Sequence, residues 1–266
     1  MMTWDPVQYL RFGNQRMRPA LDLLARVPLQ EPAEVIDLGC GAGNVTQALR
    51  RRWPTLSTRI TGVDSSPEML ARARAEEPSA SWLLADIAHW SPPAPVDLIF
   101  SNAALHWLPD HATLIPRLMG FLKPGGVLAV QMPNQTGAAS HQCIGESIAA
   151  VALDGATKTN LRARQVAPLA RPQDYYDWVA PLAGSVDQWE TVYTHVLEAA
   201  PAGSSAVAEW TRSTSLQPVL AAVPVALRGG FWEDYCRRVN AAYPVRSDGT
   251  TLFAFRRFFM VAQRHN

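Results

Sequence analysis

Three glycines and an aspartate lie close together near residue 40, in a segment that could bind a polar ligand. Residues 35–43 read VIDLGCGAG, and the apolar residues before the first glycine are typical of a buried parallel strand. Glycine tolerates positive φ and lets a ligand approach the backbone. Residues 46–53 have helical spacing, and the start of such a helix directs unpaired N–H groups at whatever lies over the turn. The segment therefore predicts a strand, a glycine loop and a helix that together hold a ligand.

The spacing of these residues also indicates the kind of ligand. A dinucleotide-binding turn has the pattern Gly-x-Gly-x-x-Gly, with the pyrophosphate at the helix start. Here the third glycine, Gly43, comes one residue early, and Asp37 precedes the first glycine, Gly39. A carboxylate at this place would repel a pyrophosphate but would attract an ammonium group. An amino acid, with its ammonium and carboxylate groups, fits better, although a tight turn that only packs a helix on a strand is the structural alternative.

Polar residues also end the next three apolar segments, namely Asp64, Asp86 and Asn102. In a doubly wound sheet, ligands bind outside the carboxyl ends of the strands. Asp64 lies 21 residues after Gly43, which is about the interval at which an acid reaches ribose hydroxyls. Asp86 followed by apolar Ile87 suits an adenine. The carboxylate of Asp86 can accept a hydrogen bond from the exocyclic amine, while the side chain of Ile87 packs on the adenine ring. Each acid alone is more often a helix cap or a surface charge, but their recurrence favours a nucleoside site.

The elements that must position these residues alternate between strands and helices. This order predicts an α/β fold with a doubly wound, seven-stranded and mostly parallel sheet, in which the last two strands complete one edge. A serine cap and a proline in the first turn predict a helix that begins near Ser66. The predicted strands span residues 34–38, 59–64, 82–86, 97–102, 127–132, 186–196 and 251–262. The predicted helices span residues 46–52, 66–77 and 111–122, with a turn at 123–126 and further helices within 134–172 and 200–245.

Length and composition exclude several classes of function. The chain has 266 residues, 48% of them hydrophobic, and a formal net charge of +1. Nothing in this charge favours nucleic acid as a partner, and no apolar stretch is long enough to span a membrane. Cys40, Cys143 and Cys236 lie far apart, which argues against a disulfide framework or a metal site. Without a signal sequence at the N-terminus, a cytoplasmic protein is the default expectation.

The ordered motifs resemble those of a known enzyme family. Residues 39–43, Asp64, Asp86-Ile87 and residues 101–107 (SNAALHW) are similar to motifs I to IV of class I S-adenosylmethionine methyltransferases. Further segments resemble trans-aconitate methyltransferases over nearly the whole chain, most strongly over residues 3–133. These segments are WDP at 4–6, YLRF at 9–12, RMRP at 16–19, ITGVDSSP at 60–67, LPDH at 108–111, GVLAVQMP at 126–133 and DYY at 174–176.

The resemblance implies a cofactor, S-adenosylmethionine, and a set of residues that bind it. It places Tyr9 and Arg16 over the methionine part of the cofactor and makes Trp107 part of the methyl-transfer pocket. It also implies three segments: an N-terminal helical segment over the cofactor at 1–30, a cofactor-binding core at 31–133, and a helical lid interleaved with the last two strands at 134–266. The expected cofactor-binding residues are Tyr9, Arg16, Asp37, Gly39, Gly41, Gly43, Asp64, Ser65, Met69, Asp86, Ile87 and Asn102.

The methyl acceptor is less well indicated, because this chain departs from the family pattern at several positions. Glu190 and Gln217 stand where relatives tend to have arginine, and residues 139–141 read ASH where they usually have PSH. A tricarboxylate needs several cations, preferably arginine. The expected acceptor-binding residues are Trp107, His141 and Arg257. His106 and His141 are candidates for a general base, but each is as easily a structural histidine, so no catalytic residue is assigned.

The sequence therefore predicts an S-adenosylmethionine-dependent methyltransferase. The expected reaction is O-methylation of a carboxylate of a small acid, such as trans-aconitate, to its methyl ester. One alternative is a methyltransferase of the same fold that acts on a natural product or a carrier-bound acyl group. Another is a module that binds the cofactor without catalysis. An NAD-linked dehydrogenase is disfavoured by the glycine spacing.

Overall fold

A single mixed sheet organises the molecule, whose computed structural model describes residues 13–135 and 137–266. The seven strands lie in the order β3-β2-β1-β4-β5-β7-β6. Strands β1 to β5 are parallel, whereas β7 runs antiparallel to β5. The predicted seven-stranded sheet, with its last two strands at one edge, is therefore confirmed. The strands are β1 (Glu34–Leu38), β2 (Arg59–Asp64), β3 (Ser81–Leu84), β4 (Val96–Asn102), β5 (Leu122–Pro133), β6 (Ala183–Leu197) and β7 (Thr251–Arg264).

Helices connect and cover these strands. Two short 3₁₀ helices, Leu105–Trp107 and Val225–Leu227, accompany the α-helices. In order, the α-helices are α1 (Gly13–Leu24), α2 (Asn44–Arg52), α3 (Pro67–Glu76), α4 (His111–Gly120), α5 (Ala139–Ala150), α6 (Gly155–Arg162), α7 (Pro172–Val179), α8 (Ala206–Arg212), α9 (Gln217–Ala222) and α10 (Arg228–Ala242). Among the helices of the described residues, none has the length and apolar character that crossing a membrane requires.

The central strands are apolar on both faces because helices cover both sides of a parallel sheet. Ile36, Ile99 and Val130 from neighbouring strands pack in one cluster with Ile115 and Leu118 of α4, and all five side chains are buried. This packing fixes the position of each strand along its own direction relative to its neighbours. It therefore also fixes where the carboxyl ends of the strands stand.

The start of α3 forms as the sequence predicts. Ser66 is the N-cap, and its Oγ accepts from the backbone N–H of Met69 at 3.2 Å, while Pro67 occupies the first turn. Helix α2 starts at Asn44, two residues before the prediction, because Gly43 in the left-handed conformation already turns the chain into the helix.

Two predicted strand ends differ from the structure. Strand β3 stops at Leu84, because Asp86 caps the next turn by accepting the backbone N–H of Ala88. The predicted turn at 123–126 lies within β5. There the pairing with β4 shifts between Val96 and Leu98, so that extra residues of β5 bulge out of the ladder.

The chain divides into two compact units. The first, here called the sheet unit, comprises Arg16–Pro133, Leu169–Thr191 and Arg257–Asn266. The second, here called the helical unit, comprises Asn134–Pro168 and Val192–Arg256, with the described residues before Arg16. It has its own core of large buried side chains, which includes Trp210, Leu216, Phe231, Tyr235 and Phe253. The segments predicted at 1–30, 31–133 and 134–266, with their roles as cover, core and lid, stay predictions.

Candidate active site at the carboxyl edge of the sheet

The glycine loop after β1 contains three residues with positive φ: Gly39 at 80°, Gly41 at 54° and Gly43 at 84°. Two of them are needed for packing. A Cβ on Gly39 would lie 2.2 Å from the Cβ of Ala104, and one on Gly43 would lie 2.8 Å from the Trp82 ring. A Cβ on Gly41, by contrast, would have no described atom within 4 Å. Gly41 is thus the glycine of this loop that faces open space, where a ligand could approach the backbone.

Asp64, at the end of β2, holds this loop in shape. One carboxylate oxygen accepts the backbone N–H of Gly41 at 2.8 Å, and the other accepts the backbone N–H of Ser66 at 2.9 Å. The side chain is half-buried. Each carboxylate oxygen has two acceptor sites, so Asp64 can still accept hydroxyl groups from a ligand. Asp64 therefore fixes the shape of the loop and keeps a negatively charged acceptor available for a ligand over the loop.

Asp37 is the most deeply buried acid of the site, with 1% of its surface exposed. The hydroxyl of Thr46, in the first turn of α2, donates to its Oδ2 at 2.6 Å. Burial raises the pKa of the Asp37 carboxyl to about 7, the hydrogen bond from Thr46 lowers it, and the charge of Asp64 raises it further. A cation that bound nearby would restore the ordinary acidity of this carboxyl group. The site is therefore suited to a ligand with a positive charge beside Asp37.

Asp86 and Ile87 lie in the turn after β3. Asp86 is exposed, and its Oδ1 accepts the backbone N–H of Ala88 at 2.9 Å, whereas Ile87 is 9% exposed. Arg117 of α4 fixes this turn, because its guanidinium donates to the backbone oxygens of Ile87 at 2.8 Å and Ala88 at 2.6 Å. An exposed carboxylate beside an apolar side chain is the arrangement that the sequence predicts for an adenine.

Ser65 and Met69 flank the start of α3 next to Asp64. Ser65 is exposed, whereas Met69 is buried at 9% exposure. Ser65 can therefore contact a ligand directly. Met69 can line the site only through the edge of its side chain.

Asn102 ends β4 with an unusual environment. Among the residues that the structure describes, its buried Oδ1 has no hydrogen-bond partner. The next residue, Ala103, has a φ of 54°, a conformation that is strained for a residue with a Cβ. An unsatisfied buried acceptor and a strained backbone at one strand end are features of binding sites, and the acceptor suits a ligand N–H group.

His106 and Trp107 follow on a 3₁₀ turn, with their ring centroids 4.8 Å apart. His106 is 9% exposed and Trp107 is half-buried. The ring of His111, at the start of α4, contacts the backbone oxygen of Leu105 at 2.9 Å and the Tyr175 hydroxyl. Since the backbone oxygen of Leu105 can only accept, Nε2 of His111 donates this hydrogen bond. His111 therefore anchors the 3₁₀ turn that carries His106 and Trp107.

Arg257 lies at the same edge of the sheet. Because β7 is antiparallel, its residue 257 pairs with Pro133 at the carboxyl end of β5. The side chain is 3% exposed, and its Nη1 donates to Oε1 of Gln131 at 3.2 Å. A buried guanidinium at the carboxyl edge is a site for an anion.

Strand register places the central polar residues on one face. Asp37 pairs with Phe100, and Asn102 pairs with Gln131. Since side chains two residues apart share a face, Asp37, Asn102 and Gln131 project to the same side. Gln131 pairs with Phe259 on β7, which puts Arg257 on this side too. The sheet therefore places Asp37, Asn102 and Arg257 on one face, together with Gln131, which the sequence analysis did not single out. That these residues bind a ligand stays a prediction.

Three expected site residues are not part of this arrangement as described. Tyr9 lies outside the described residues, and the same holds for the side chain of Arg16. His141 belongs to α5 in the helical unit, where it is half-buried and its Nδ1 lies 3.4 Å from the Ser140 hydroxyl. Burial lowers the pKa of His141 to about 4, so its imidazole is neutral at physiological pH. In the described part of the chain, histidine, cysteine, aspartate and glutamate form no group that could hold a metal ion.

Comparison with known proteins finds relatives of this chain. Residues 35–126 match the family model described as a methyltransferase domain. A trans-aconitate 2-methyltransferase from Azoarcus sp. (strain BH72) is 48% identical over 99% of this chain and 100% of its own length. A trans-aconitate 2-methyltransferase from Methylobacterium radiotolerans is 45% identical over 99% of both chains. Among solved structures, the YcgJ protein from Bacillus subtilis is similar in fold, with a TM-score of 0.58 and 11% identity over 94% of this chain and 99% of its own.

Proposed function

We propose an acceptor and a mode of action for this chain on one premise: it belongs to the family of trans-aconitate 2-methyltransferases, and it is an S-adenosylmethionine-dependent methyltransferase. The proposed acceptor is trans-aconitate, the acid in the names of these relatives, and the proposed product is its methyl ester. The observation that supports a carboxylate as the acceptor group is the position of Arg257, a buried guanidinium at the carboxyl edge of the sheet.

The glycine loop fits the amino-acid end of the cofactor. The open space over Gly41 leaves room for a ligand on the backbone, and the first turn of α2 directs N–H groups without intrahelical partners towards a carboxylate. Asp37 and the unsatisfied Oδ1 of Asn102 suit the ammonium group. We assign Gly39 and Gly43 to the shape of the loop, because side chains there would collide with Ala104 and Trp82.

The next two strand ends fit the nucleoside. We assign the ribose hydroxyls to Asp64, which keeps acceptor capacity after its two backbone hydrogen bonds, with Ser65 and Met69 beside it. We assign the adenine to Asp86 and Ile87, in the turn that Arg117 holds. Tyr9 and Arg16 remain proposed contacts to the methionine part of the cofactor.

The acceptor would lie towards β5 and β7, next to Trp107 and Arg257. Arg257 supplies a positive charge, which neutralises one carboxylate of the acid and holds it in place. Trp107 offers an apolar wall beside the reacting group. His141 remains a proposed acceptor contact. As it is neutral at physiological pH, its contribution would be a hydrogen bond rather than a charge.

The chemistry needs little from the protein beyond alignment. S-adenosylmethionine, held by the residues assigned above, would supply a methyl group on a sulfonium, which is already activated for transfer to a carboxylate oxygen with the thioether as the leaving group. A carboxylate is already ionised at neutral pH and needs no general base. Positioning and exclusion of water can supply roughly 7–11 kcal/mol of the barrier. We therefore assign no catalytic base, and treat His106 as structural.

A direct assay tests this proposal. The protein is incubated with S-adenosylmethionine and trans-aconitate, and the products are analysed by mass spectrometry for the monomethyl ester. We expect the ester with the wild type and a KM for trans-aconitate at least tenfold higher with Arg257→Leu. If S-adenosylhomocysteine binds but no acid in a panel is esterified, the alternatives of a natural-product acceptor or a cofactor-binding module gain support. Absence of any cofactor binding would refute the site itself.

The departures from the family pattern bear on the acceptor only weakly. Glu190 is exposed on β6, so the arginine that relatives tend to have there would stand at the surface. Gln217 starts α9 in the helical unit. Neither residue replaces Arg257 as the buried cation of the sheet unit.

A further inference from the structure

A buried glutamine interrupts the apolar run of β5. Gln131 is 0% exposed, and its neighbours Val130 and Met132 are buried as well. A carboxamide in such surroundings is unfavourable unless its oxygen and its nitrogen both find partners. The position of Gln131, in register with Asn102 and on the face of Arg257, puts this carboxamide in the site described above.

Arg257 decides which way this carboxamide faces. A guanidinium only donates hydrogen bonds, so the atom of Gln131 that faces Nη1 at 3.2 Å must be the oxygen. The amide nitrogen is therefore turned away from Arg257. In the described part of the chain, this buried nitrogen has no hydrogen-bond partner.

The neighbouring strand, β4, carries a hydrogen-bond acceptor without a described partner. Asn102 pairs directly with Gln131, and its buried Oδ1 is an acceptor without a partner among the described residues. An unsatisfied acceptor on β4 thus stands beside an unsatisfied donor on β5. The acceptor suits the ammonium of the cofactor, whereas the donor, next to a guanidinium, suits the oxygen of an anion.

We propose that Gln131 selects a carboxylate as the methyl acceptor: its amide N–H donates to the acceptor carboxylate, while its oxygen holds Arg257 ready for the same acid. This inference rests on the proposed function, in which the acceptor is a carboxylic acid. Gln131 and Arg257 together present only donors, and a carboxylate is the acceptor group that gains most from such a surface. A carboxylate oxygen that accepts from Gln131 leaves the second oxygen available for the methyl group.

The test compares two substitutions at Gln131 with one control. Gln131→Met keeps the size of the side chain and removes the donor, and Gln131→Glu keeps the shape but replaces the donor with an acceptor. Gln263→Met is the control. That glutamine lies on the same strand as Arg257, donates to the backbone oxygen of Gly125 at 2.9 Å, and pairs with Val127 at the other end of the ladder.

The measurements are equilibrium binding of trans-aconitate to the complex with S-adenosylhomocysteine, binding of S-adenosylhomocysteine alone, and KM and kcat. For Gln131→Met we expect about 10- to 100-fold weaker binding of trans-aconitate and a raised KM, with unchanged affinity for S-adenosylhomocysteine. Gln131→Glu should bind the acid more weakly still, because two carboxylates would face each other. Gln263→Met should bind both ligands as the wild type does.

The outcomes separate this inference from the proposed function. Binding of trans-aconitate by the wild type and equally by either folded Gln131 variant would overturn the role of Gln131 and leave the proposed function intact. If the wild type binds S-adenosylhomocysteine but not trans-aconitate, the proposed acceptor is wrong and the inference fails with it. Should Gln131→Met not fold, Gln131→Glu, whose side chain can still accept from Arg257, decides the question by the same measurements.

Discussion

The two ends of the site hold their polar groups in different ways. At the β1–β3 end, which carries Asp37, Asp64 and Asp86, each acid is hydrogen-bonded to a group in an adjacent turn or loop or in the first turn of α2. At the β5–β7 end, which carries Gln131 and Arg257, the partners lie 126 residues apart and meet only through strand pairing. The first end offers acceptors to a cationic, hydroxyl-rich ligand, and the second offers donors to an anion.

This difference has a chemical meaning. A methyl transfer from a sulfonium to a carboxylate consumes one positive and one negative charge. The sheet separates groups of opposite character along one edge, so under the proposed function each reactant would be attracted to its own end. Asn102 lies between the two ends, on β4.

The largest effect on the β1–β3 end is expected from Asp64→Ala. The substitution removes the acceptor that we propose for the ribose and releases the backbone N–H groups of Gly41 and Ser66. We expect the affinity for S-adenosylhomocysteine to fall by about 100-fold, measured by isothermal titration calorimetry.

Asp97→Ala is the matched control. Asp97 also accepts two backbone N–H groups, from Ala33 and Glu34, but at the opposite edge of the sheet. This variant should lose stability and keep the affinity for S-adenosylhomocysteine. Equal affinity losses in both variants would mean that Asp64 acts through folding alone.

The next largest effect should come from Gly41→Ala. A Cβ there meets open space, so it would occupy the place of the ligand, at a backbone cost of about 1–2 kcal/mol for the positive φ. We expect S-adenosylhomocysteine to bind roughly 10- to 30-fold more weakly by calorimetry, with a small change in melting temperature. Gly43→Ala, which collides with Trp82, should show the reverse: a clear loss of melting temperature. A Gly41→Ala protein with unaltered affinity would show that no ligand contacts this loop.

A pH-dependent effect is expected from Asp37. Its folded-state pKa of about 7 lies above 3.8, the ordinary pKa of an aspartate side chain, so the folded protein retains a proton that the unfolded chain loses. The contribution of Asp37 to stability is therefore favourable at low pH, falls as pH rises from about 4 to 7, and is constant above. Asp37→Asn should raise the free energy of unfolding at pH 7.5 by roughly 1–3 kcal/mol, measured by urea denaturation.

Binding should respond to pH in the opposite direction. In the proposed site, only the ionised carboxylate of Asp37 would attract the ammonium of the cofactor, so the affinity for S-adenosylhomocysteine should rise about tenfold between pH 5.5 and 7.5. In Asp37→Asn this rise should be absent, and the affinity at pH 7.5 should be lower than in the wild type. A variant that retains the wild-type pH profile would place the ammonium elsewhere.

The smallest effect is expected from Glu190→Arg, which restores the residue that relatives tend to have. Glu190 is exposed, and exposed charges interact weakly through water and salt. The KM for trans-aconitate should change by less than about threefold. A tenfold decrease would place Glu190 next to the acceptor and extend the β5–β7 end onto β6.

The β1–β3 end is readable from the sequence because its interactions are local. Gly41, Asp64 and Asp86 each follow an apolar strand within a few residues, so spacing alone places them at one edge. Gln131 gave only a weak signal, a polar residue in an apolar run. Its partner Arg257 was expected from a resemblance and not from spacing, since no local pattern reveals that an antiparallel strand will return beside β5.

Two smaller errors in the predicted elements have different causes. The turn predicted at 123–126 has the glycines and the proline of a turn, but pairing with β4 keeps it within a bulged strand. The strand predicted at 82–86 stops early because Asp86 prefers its own turn. In the first case a local preference was read correctly but a long-range strand pairing overrode it, and in the second the local hydrogen bond of Asp86 was not foreseen.

Helix α4 contacts two of the loops that carry ligand-facing residues. Its first residue, His111, donates to the backbone oxygen of Leu105, and one turn and a half later Arg117 donates to the oxygens of Ile87 and Ala88. A single helix is thus hydrogen-bonded to both the segment that precedes Trp107 and the turn that contains Asp86. Under the proposed function, changes in α4 would shift both loops together, so the affinity for the cofactor and the shape of the acceptor pocket would not be independent traits for evolution to adjust.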